Sequence, residues 1–82
     1  MVDSASQINA AIADLVREYR LARGFSQEHL ASLCGLDRTY ISSIERKRSN
    51  ISVQALAKIG DALSLPPGQM LNRIATIIES SS

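Results

Sequence analysis

Apolar residues recur at intervals of three and four along most of the chain, the period of a helix that buries one face. The first such run begins near residue 7, and Ser4 or Ser6 can cap its start while Gly24 can end it. No segment shows the period of two that a half-buried strand shows, so the pattern predicts an all-α fold. The inward face of this first helix is expected to hold Ile8, Ile12, Leu15, Val16, Tyr19 and Ala22.

Three short helices are predicted next, each preceded by a side chain that can accept hydrogen bonds from the first backbone amides of a helix. The three caps are Ser26, Asp37 and Ser52. The residues expected to point inward are Leu30, Ala31 and Cys34 in the second helix, Ile41 and Ile44 in the third, and Leu56, Ile59 or Gly60, and Leu63 in the fourth.

A fifth helix is predicted from about Gln69 to Glu79, after the break at residues 66–68. Its five large apolar residues cover about 160° of arc at 100° per residue, more than a small core can bury. We expect Leu71 and Ile78 to face inward. The remaining three, which are expected to form an exposed flank and a dimer interface, are Met70, Ile74 and Ile77.

The 82 residues predict one small domain at 7–79, with a short extension at 1–6 and a tail at 80–82. No apolar run reaches the roughly 18–20 residues that a membrane span needs, and residues 1–7 do not resemble a signal peptide. A single cysteine excludes an internal disulfide and fits a reducing, cytoplasmic location. One histidine and one cysteine also exclude a His/Cys zinc site within the chain, and no cofactor is expected.

The formal net charge of the chain is only +1, but the basic residues are concentrated. Between residues 15 and 48 there are seven basic and four acidic side chains. A local basic excess inside a nearly neutral chain is typical of a protein with one surface for an anionic partner.

The second and third predicted helices are separated by only Gly35, Leu36 and Asp37. Two short helices joined by a three- or four-residue turn that contains glycine are typical of a helix-turn-helix. Gly35 can take the left-handed backbone conformation that such a turn uses, and a small residue, Ala31, suits a close crossing of the two helices.

Three segments carry a resemblance to a known family: residues 26–31, 35–42 and 44–46 resemble the Xre/Cro/lambda-repressor class of helix-turn-helix proteins. Residues 37–42 with 50–52 are similar to the controller proteins of restriction–modification systems, which are small dimeric transcription regulators. The resemblance implies a five-helix DNA-binding domain that acts as a homodimer on a palindromic operator in double-stranded DNA.

The resemblance also implies which residues contact DNA, with the third helix as the recognition helix in the major groove. The residues implied to read bases are Arg38, Thr39, Ser42 and Ser43. Those implied to bind phosphates are Gln27, Tyr40, Arg46, Lys47, Arg48 and Asn50.

Two residues depart from the pattern of this class. Lys47 stands where the class usually has glycine, so it must either take a left-handed conformation or end the helix differently. Ser49 stands where the controllers usually have a basic residue.

Some residues are expected to have structural or solvent roles instead. Arg17, Arg20 and Arg23 are expected on the solvated surface, Glu45 in an ion pair or cap, and Cys34 as a buried, inert thiol. No nucleophile pairs with His29 and no glycine-rich phosphate loop is present, so we expect no enzyme.

Two classes of function stay open at this point. One is the dimeric regulator, for which RNA polymerase is a candidate further partner. Whether it would repress or activate is undecided, because both actions use the same domain. The other class is a helix-turn-helix interaction module, such as an antitoxin or a co-regulator.

Overall fold

The computed structural model describes residues 3–80, which form five α-helices and, within those residues, no strand. The predicted all-α fold with five helices is therefore confirmed. None of these helices is both long and apolar enough to cross a membrane. The helices are α1 (Ser4–Ala22), α2 (Gln27–Cys34), α3 (Arg38–Glu45), α4 (Val53–Ala62) and α5 (Pro67–Ser80).

The predicted caps of three helices are confirmed. The Ser26 hydroxyl accepts from the amide of His29 at 3.0 Å. The Asp37 carboxylate accepts from the amide of Thr39 at 3.1 Å, and the Ser52 hydroxyl binds the third amide of α4 at 3.0 Å. These bonds satisfy amides that have no partner inside the helix.

The start of α1 differs from the prediction. Asp3, rather than Ser4 or Ser6, is the cap, and its Oδ1 accepts from the amide of Ser6 at 2.8 Å. That hydrogen bond lowers the pKa of the Asp3 carboxyl. Residues 4–6 thus belong to α1 rather than to an extension, and Ser80 belongs to α5. The rest of the predicted extension and tail, residues 1–2 and 81–82, lies outside the described residues.

The first four helices end in the same way, with a residue in the left-handed region just after the helix. At each end the following amide donates to the carbonyl five residues back, as from Arg48 to Ser43 at 2.9 Å. This is the Schellman motif. Of the two alternatives for Lys47, the left-handed one is therefore correct. The four left-handed residues are Gly24 (φ 69°), Gly35 (φ 69°), Lys47 (φ 63°) and Ser64 (φ 56°).

The core lies where α1 packs on α3 and α5, and where α2 packs on α3 and α4. Most residues predicted to point inward do so, and Leu15, Leu30, Ile41 and Leu63 are completely buried. Two positions at the ends of the first apolar run are exceptions. Ile8 is 46% exposed and Ala22 is also exposed.

The predicted orientation of α5 is wrong. Met70 and Ile74, expected on the exposed flank, are buried at 4% and 7% exposure, whereas Leu71, expected inside, is 61% exposed. α5 is thus rotated about its axis relative to the prediction. Gly60 of α4 explains this rotation, because a Cβ there would lie 3.1 Å from the Met70 sulfur. The missing side chain lets α5 approach α4 with Met70 between them. Ile77 and Ile78 are both half-buried.

We predict that Lys47→Gly stabilises the fold. Glycine takes a positive φ without the steric cost, about 1 kcal/mol, that a Cβ imposes. Lys47→Ala is the matched control, because it removes the same charge and side chain but keeps the Cβ. In urea denaturation the glycine variant should be more stable than the alanine variant by about 1 kcal/mol. Equal stabilities would contradict backbone strain at residue 47.

Candidate nucleic-acid interface

The turn between α2 and α3 sets the two helices into a helix-turn-helix. Gly35 adopts φ 69°, and the amide of Leu36 donates to the carbonyl of Ala31 at 3.0 Å. Ala31 and the inner residues of α3, Ile41 and Ile44, are buried. Because these side chains hold α3 against the core, the opposite side of its first turn faces solvent.

Arg38 and Thr39 form the outer side of that first turn, and both are exposed. Arg38 makes no hydrogen bond or ion pair with the part of the chain that the structure describes. A cation at a helix N-terminus opposes the helix dipole. The arrangement therefore offers an unneutralised guanidinium, with a hydroxyl beside it, to an outside acceptor.

Ser42 and Ser43 follow one turn later and are half-buried. The Ser43 hydroxyl is hydrogen-bonded to the hydroxyl of Ser49 in the loop after α3. Of the four residues predicted to read bases, Arg38 and Thr39 are therefore exposed to solvent. Ser43 also connects the loop with α3. Their contacts with bases stay a prediction.

The loop after α3 carries three consecutive exposed cations, Arg46, Lys47 and Arg48. Two side chains of α1 hold this loop. The Lys47 ammonium lies 3.7 Å from the Asp14 carboxylate, with both groups more than half exposed. Asn9 donates from Nδ2 to Oδ1 of Asn50 at 2.8 Å. The sequence analysis did not anticipate Asn9 and Asp14 as partners of the loop, or Ser49 as the partner of Ser43.

Tyr40 and Gln27, both predicted to bind phosphate, are half-buried and have partners within the protein. The Tyr40 hydroxyl accepts from the backbone amide of Ser52 at 3.4 Å, so its own hydrogen can still be donated. Gln27 donates one N–H to Glu45 at 3.3 Å. A carboxamide has a second N–H, which finds no acceptor among residues 3–80.

Arg20, predicted to be solvated, is instead buried at 8% exposure. Its guanidinium donates to both carboxylate oxygens of Glu45, at 2.7 and 2.9 Å, and to the carbonyl of Phe25 at 2.8 Å. The hydrogen bond to Glu45 raises the pKa of Arg20. The predicted ion-pair role of Glu45 is confirmed.

The position of Arg20 in the sequence gives only a weak signal of its burial, because spacing does not show which residue covers it. Arg20 lies four residues after Val16 and eight after Ile12, at one edge of the apolar stripe of α1. A charged residue that is buried there needs a partner of opposite charge. Arg17 lies off the stripe and is exposed as predicted. Arg23 is also exposed as predicted, although it lies within the stripe, seven residues after Val16.

Cys34 is buried at 8% exposure, and this burial raises the pKa of its thiol. The reactive thiolate is therefore disfavoured, as expected for an inert core cysteine. Among residues 3–80, no three histidine, cysteine, aspartate or glutamate side chains are grouped in a way that could hold a metal ion.

The fold and the α2–α3 geometry define a helix-turn-helix protein, and comparison with known families agrees. A helix-turn-helix family model matches residues 16–70. The chain belongs to this family, and the predicted resemblance to its Xre-like controller proteins is confirmed by the relatives that follow.

The Neisseria hypothetical transcription factor of Neisseria meningitidis serogroup B is 45% identical over 64 residues, which are 78% of this chain. The chain spans only 60% of the length of that relative. Control protein C.BamHI of Bacillus amyloliquefaciens is 41% identical over 68 residues, 82% of this chain and 84% of the relative.

Among solved structures, the restriction–modification controller protein C.Esp1396I has a similar fold over most of its length. The structure described as its tetramer in complex with its natural 35 base-pair operator has a TM-score of 0.82 and 30% identity. The similarity covers 88% of this chain and 95% of that chain.

We predict that Glu45→Gln strongly destabilises the fold. The substitution keeps the side-chain shape but leaves the charge of Arg20 buried without a counterion, which is expected to cost about 3–5 kcal/mol. Urea denaturation followed by circular dichroism measures the change. Glu18→Gln is the control, because it removes the exposed pair with Arg73 and should change stability by less than about 1 kcal/mol. Similar effects of the two substitutions would contradict the structural role of Glu45.

Proposed function

We propose that this chain is a sequence-specific, DNA-binding transcription regulator that acts as a homodimer on a palindromic operator. Its relatives suggest more narrowly the controller of a restriction–modification system. The observation that carries the proposal is the exposed Arg38 at the start of α3, which has no partner among residues 3–80, together with the three exposed cations that follow the same helix. A regulator needs this combination of a base reader and phosphate binders.

In this proposal the first turn of α3 enters the major groove. Arg38 donates two hydrogen bonds to O6 and N7 of a guanine, the commonest specific contact between protein and DNA. Thr39 reads a neighbouring base through its hydroxyl or sets its methyl against a thymine methyl. Ser42 and the remaining bonding capacity of Ser43 serve positions one helical turn further on.

The residues proposed to bind phosphates lie around the base-reading residues of α3. Each assigned group has a hydrogen to donate that the described part of the protein does not use, or is a solvent-exposed cation. Such contacts set the position of the protein on the duplex without reading its sequence. The assigned residues are Gln27, Tyr40, Arg46, Lys47, Arg48 and Asn50.

Met70 and Ile74 are in the core of their own chain and cannot form the dimer interface. Ile77 is half-buried and stays a predicted interface residue, but the interface needs further residues. An apolar groove of about 200 Å³ lies between α4 and α5. Val53, at 80% exposure, and Leu71, at 61%, border it together with Leu56 and Ala57. We call these four residues the α4–α5 patch and assign it to the dimer interface, because large exposed apolar patches mark interaction sites.

The alternative class, an interaction module for a protein partner, would use the same α4–α5 patch without needing specific DNA binding. RNA polymerase is a further partner only if the regulator activates transcription. The expected cytoplasmic location also stays a prediction.

We predict that Arg38→Ala and Arg48→Ala weaken DNA binding in different ways. Preferred duplexes are first selected from a random-sequence pool with the full chain. Arg38→Ala should cost about 1–3 kcal/mol on a selected duplex and relax the preference at one base pair. Arg48→Ala should weaken binding to selected and random duplexes alike and make the salt dependence shallower.

Fluorescence anisotropy over a range of salt concentrations measures both effects. For the wild-type dimer, log K should fall with log salt at a slope of about −5 to −7. A slope near zero, or no enriched sequence after selection, would refute the DNA-binding proposal. An equal effect of Arg38→Ala on all duplexes would make Arg38 a phosphate contact.

We predict that Leu71→Glu gives a folded monomer. The substitution places two like charges against each other across a symmetric interface, where desolvation and repulsion oppose association. The helix should persist, because glutamate forms helices well. Sedimentation and circular dichroism test both points. Leu33→Glu is the control, since Leu33 is a 51% exposed leucine of α2 that does not line the patch. A dimeric Leu71→Glu variant would place the interface elsewhere.

A further inference from the structure

The Asn9–Asn50 hydrogen bond connects two residues that are 41 positions apart in the chain. Asn9 is half-buried on α1, and Asn50 is exposed in the loop after α3. Both line a polar groove whose other walls include the cations Lys47 and Arg48. The bond therefore lies where a phosphate would find positive charge.

A carboxamide has two different ends, an oxygen that only accepts and an NH₂ group that only donates. Two asparagines can consequently pair in either of two directions. In this structure Asn9 donates and the oxygen of Asn50 accepts. The NH₂ of Asn50 has no acceptor among residues 3–80, so both of its hydrogens remain for an outside partner.

The direction of this bond decides what Asn50 can bind. A phosphate oxygen accepts hydrogen bonds, so only the NH₂ end of Asn50 can bind it. With the opposite pairing, Asn50 would present its oxygen to the phosphate, and two acceptors would face each other without a hydrogen between them.

We infer that Asn9 is a positioning residue for DNA binding, which holds the Asn50 side chain with its NH₂ directed at the phosphate backbone. The inference rests on the proposed function, because it needs DNA at the outer face of the loop. An exposed asparagine without a partner would rotate between both orientations. Because Asn9 holds the Asn50 side chain in one orientation before DNA binds, less conformational entropy is lost on binding.

The experiment measures what Asn50→Ala costs in three backgrounds: wild type, Asn9→Asp and Asn9→Lys. Aspartate at position 9 can only accept, so Asn50 must donate one N–H inward and turn its oxygen outward, which leaves at most one N–H for a phosphate. Lysine at position 9 can only donate, so Asn50 keeps its outward NH₂. Because each comparison is made within one background, the effect of the new charge at position 9 on DNA affinity cancels.

The probe is a random-sequence duplex of about 35 base pairs, since a phosphate contact does not depend on sequence. In the wild type and in Asn9→Lys, Asn50→Ala should weaken binding at least about fivefold for each subunit, the value of one ordinary hydrogen bond. In Asn9→Asp its effect should be clearly smaller, because the new carboxylate takes one N–H of Asn50 and the oxygen of Asn50 is turned toward the phosphate. Thermal unfolding by circular dichroism verifies that each variant is folded.

Ser6→Asp is the matched control for Asn9→Asp. It adds the same charge on the same helix, at another residue that lines the groove, and leaves the Asn9–Asn50 bond intact. In this variant Asn50→Ala should keep its full effect. If the effect is reduced there too, the added charge rather than the direction of the bond is responsible, and the inference is overturned.

Two failures can be separated. If the wild-type protein does not bind the duplex at low salt, the proposed function itself is wrong. If it binds, but Asn50→Ala has the same effect in all three backgrounds or no effect in the wild type, only the role of Asn9 is overturned.

Discussion

The buried ion pair between Arg20 and Glu45 is the interaction on which the rest of this domain depends. Burying two charges is unfavourable unless each is paired and hydrogen-bonded. Here three donors of one guanidinium bind the carboxylate and the carbonyl of Phe25. The pair joins α1, the start of the turn before α2, and the last turn of α3. Its geometry therefore fixes how α3 lies against α1, and hence which side of α3 faces outward.

The same pair connects the core with the candidate DNA surface. Glu45 accepts a further hydrogen bond from Gln27, at the first position of α2, and the next residues after Glu45 are the exposed cations. One carboxylate thus orients a candidate phosphate contact and anchors the loop. A buried ion pair of this kind defines geometry more than it adds stability.

The loop after α3 combines strain with charge. The chain changes direction in this loop at Lys47, which is in the left-handed conformation. Glycine would adopt that conformation at a lower free-energy cost. Lysine at this position keeps a cation on the candidate DNA surface, and Asp14 of α1 lies close enough to pair with it. Contacts from Asn9 and Ser43 hold the remainder of the loop. These contacts connect the loop with both α1 and α3.

The sequence-based predictions gave the right kinds of structural feature but in some cases assigned them to the wrong residue. The caps Ser26, Asp37 and Ser52 were predictable because each binds an amide two or three residues ahead. At α1, three neighbouring residues could each cap the helix, and the prediction chose between the two serines instead of Asp3. The face of α5 was mistaken because five apolar positions span a wide arc, and Gly60, in another helix, decides which of them is buried.

The five helices and the α2–α3 turn could be predicted from the sequence alone, because they depend on contacts between near neighbours in the chain. Three features could not be predicted before the helices were packed: the burial of Arg20, the direction of the Asn9–Asn50 bond and the exposure of Leu71. The first two depend on partners 25 and 41 residues away. The third depends on how α5 is rotated against α4. Spacing along a chain shows which residues share a face, but which surface covers that face is settled only when the helices pack.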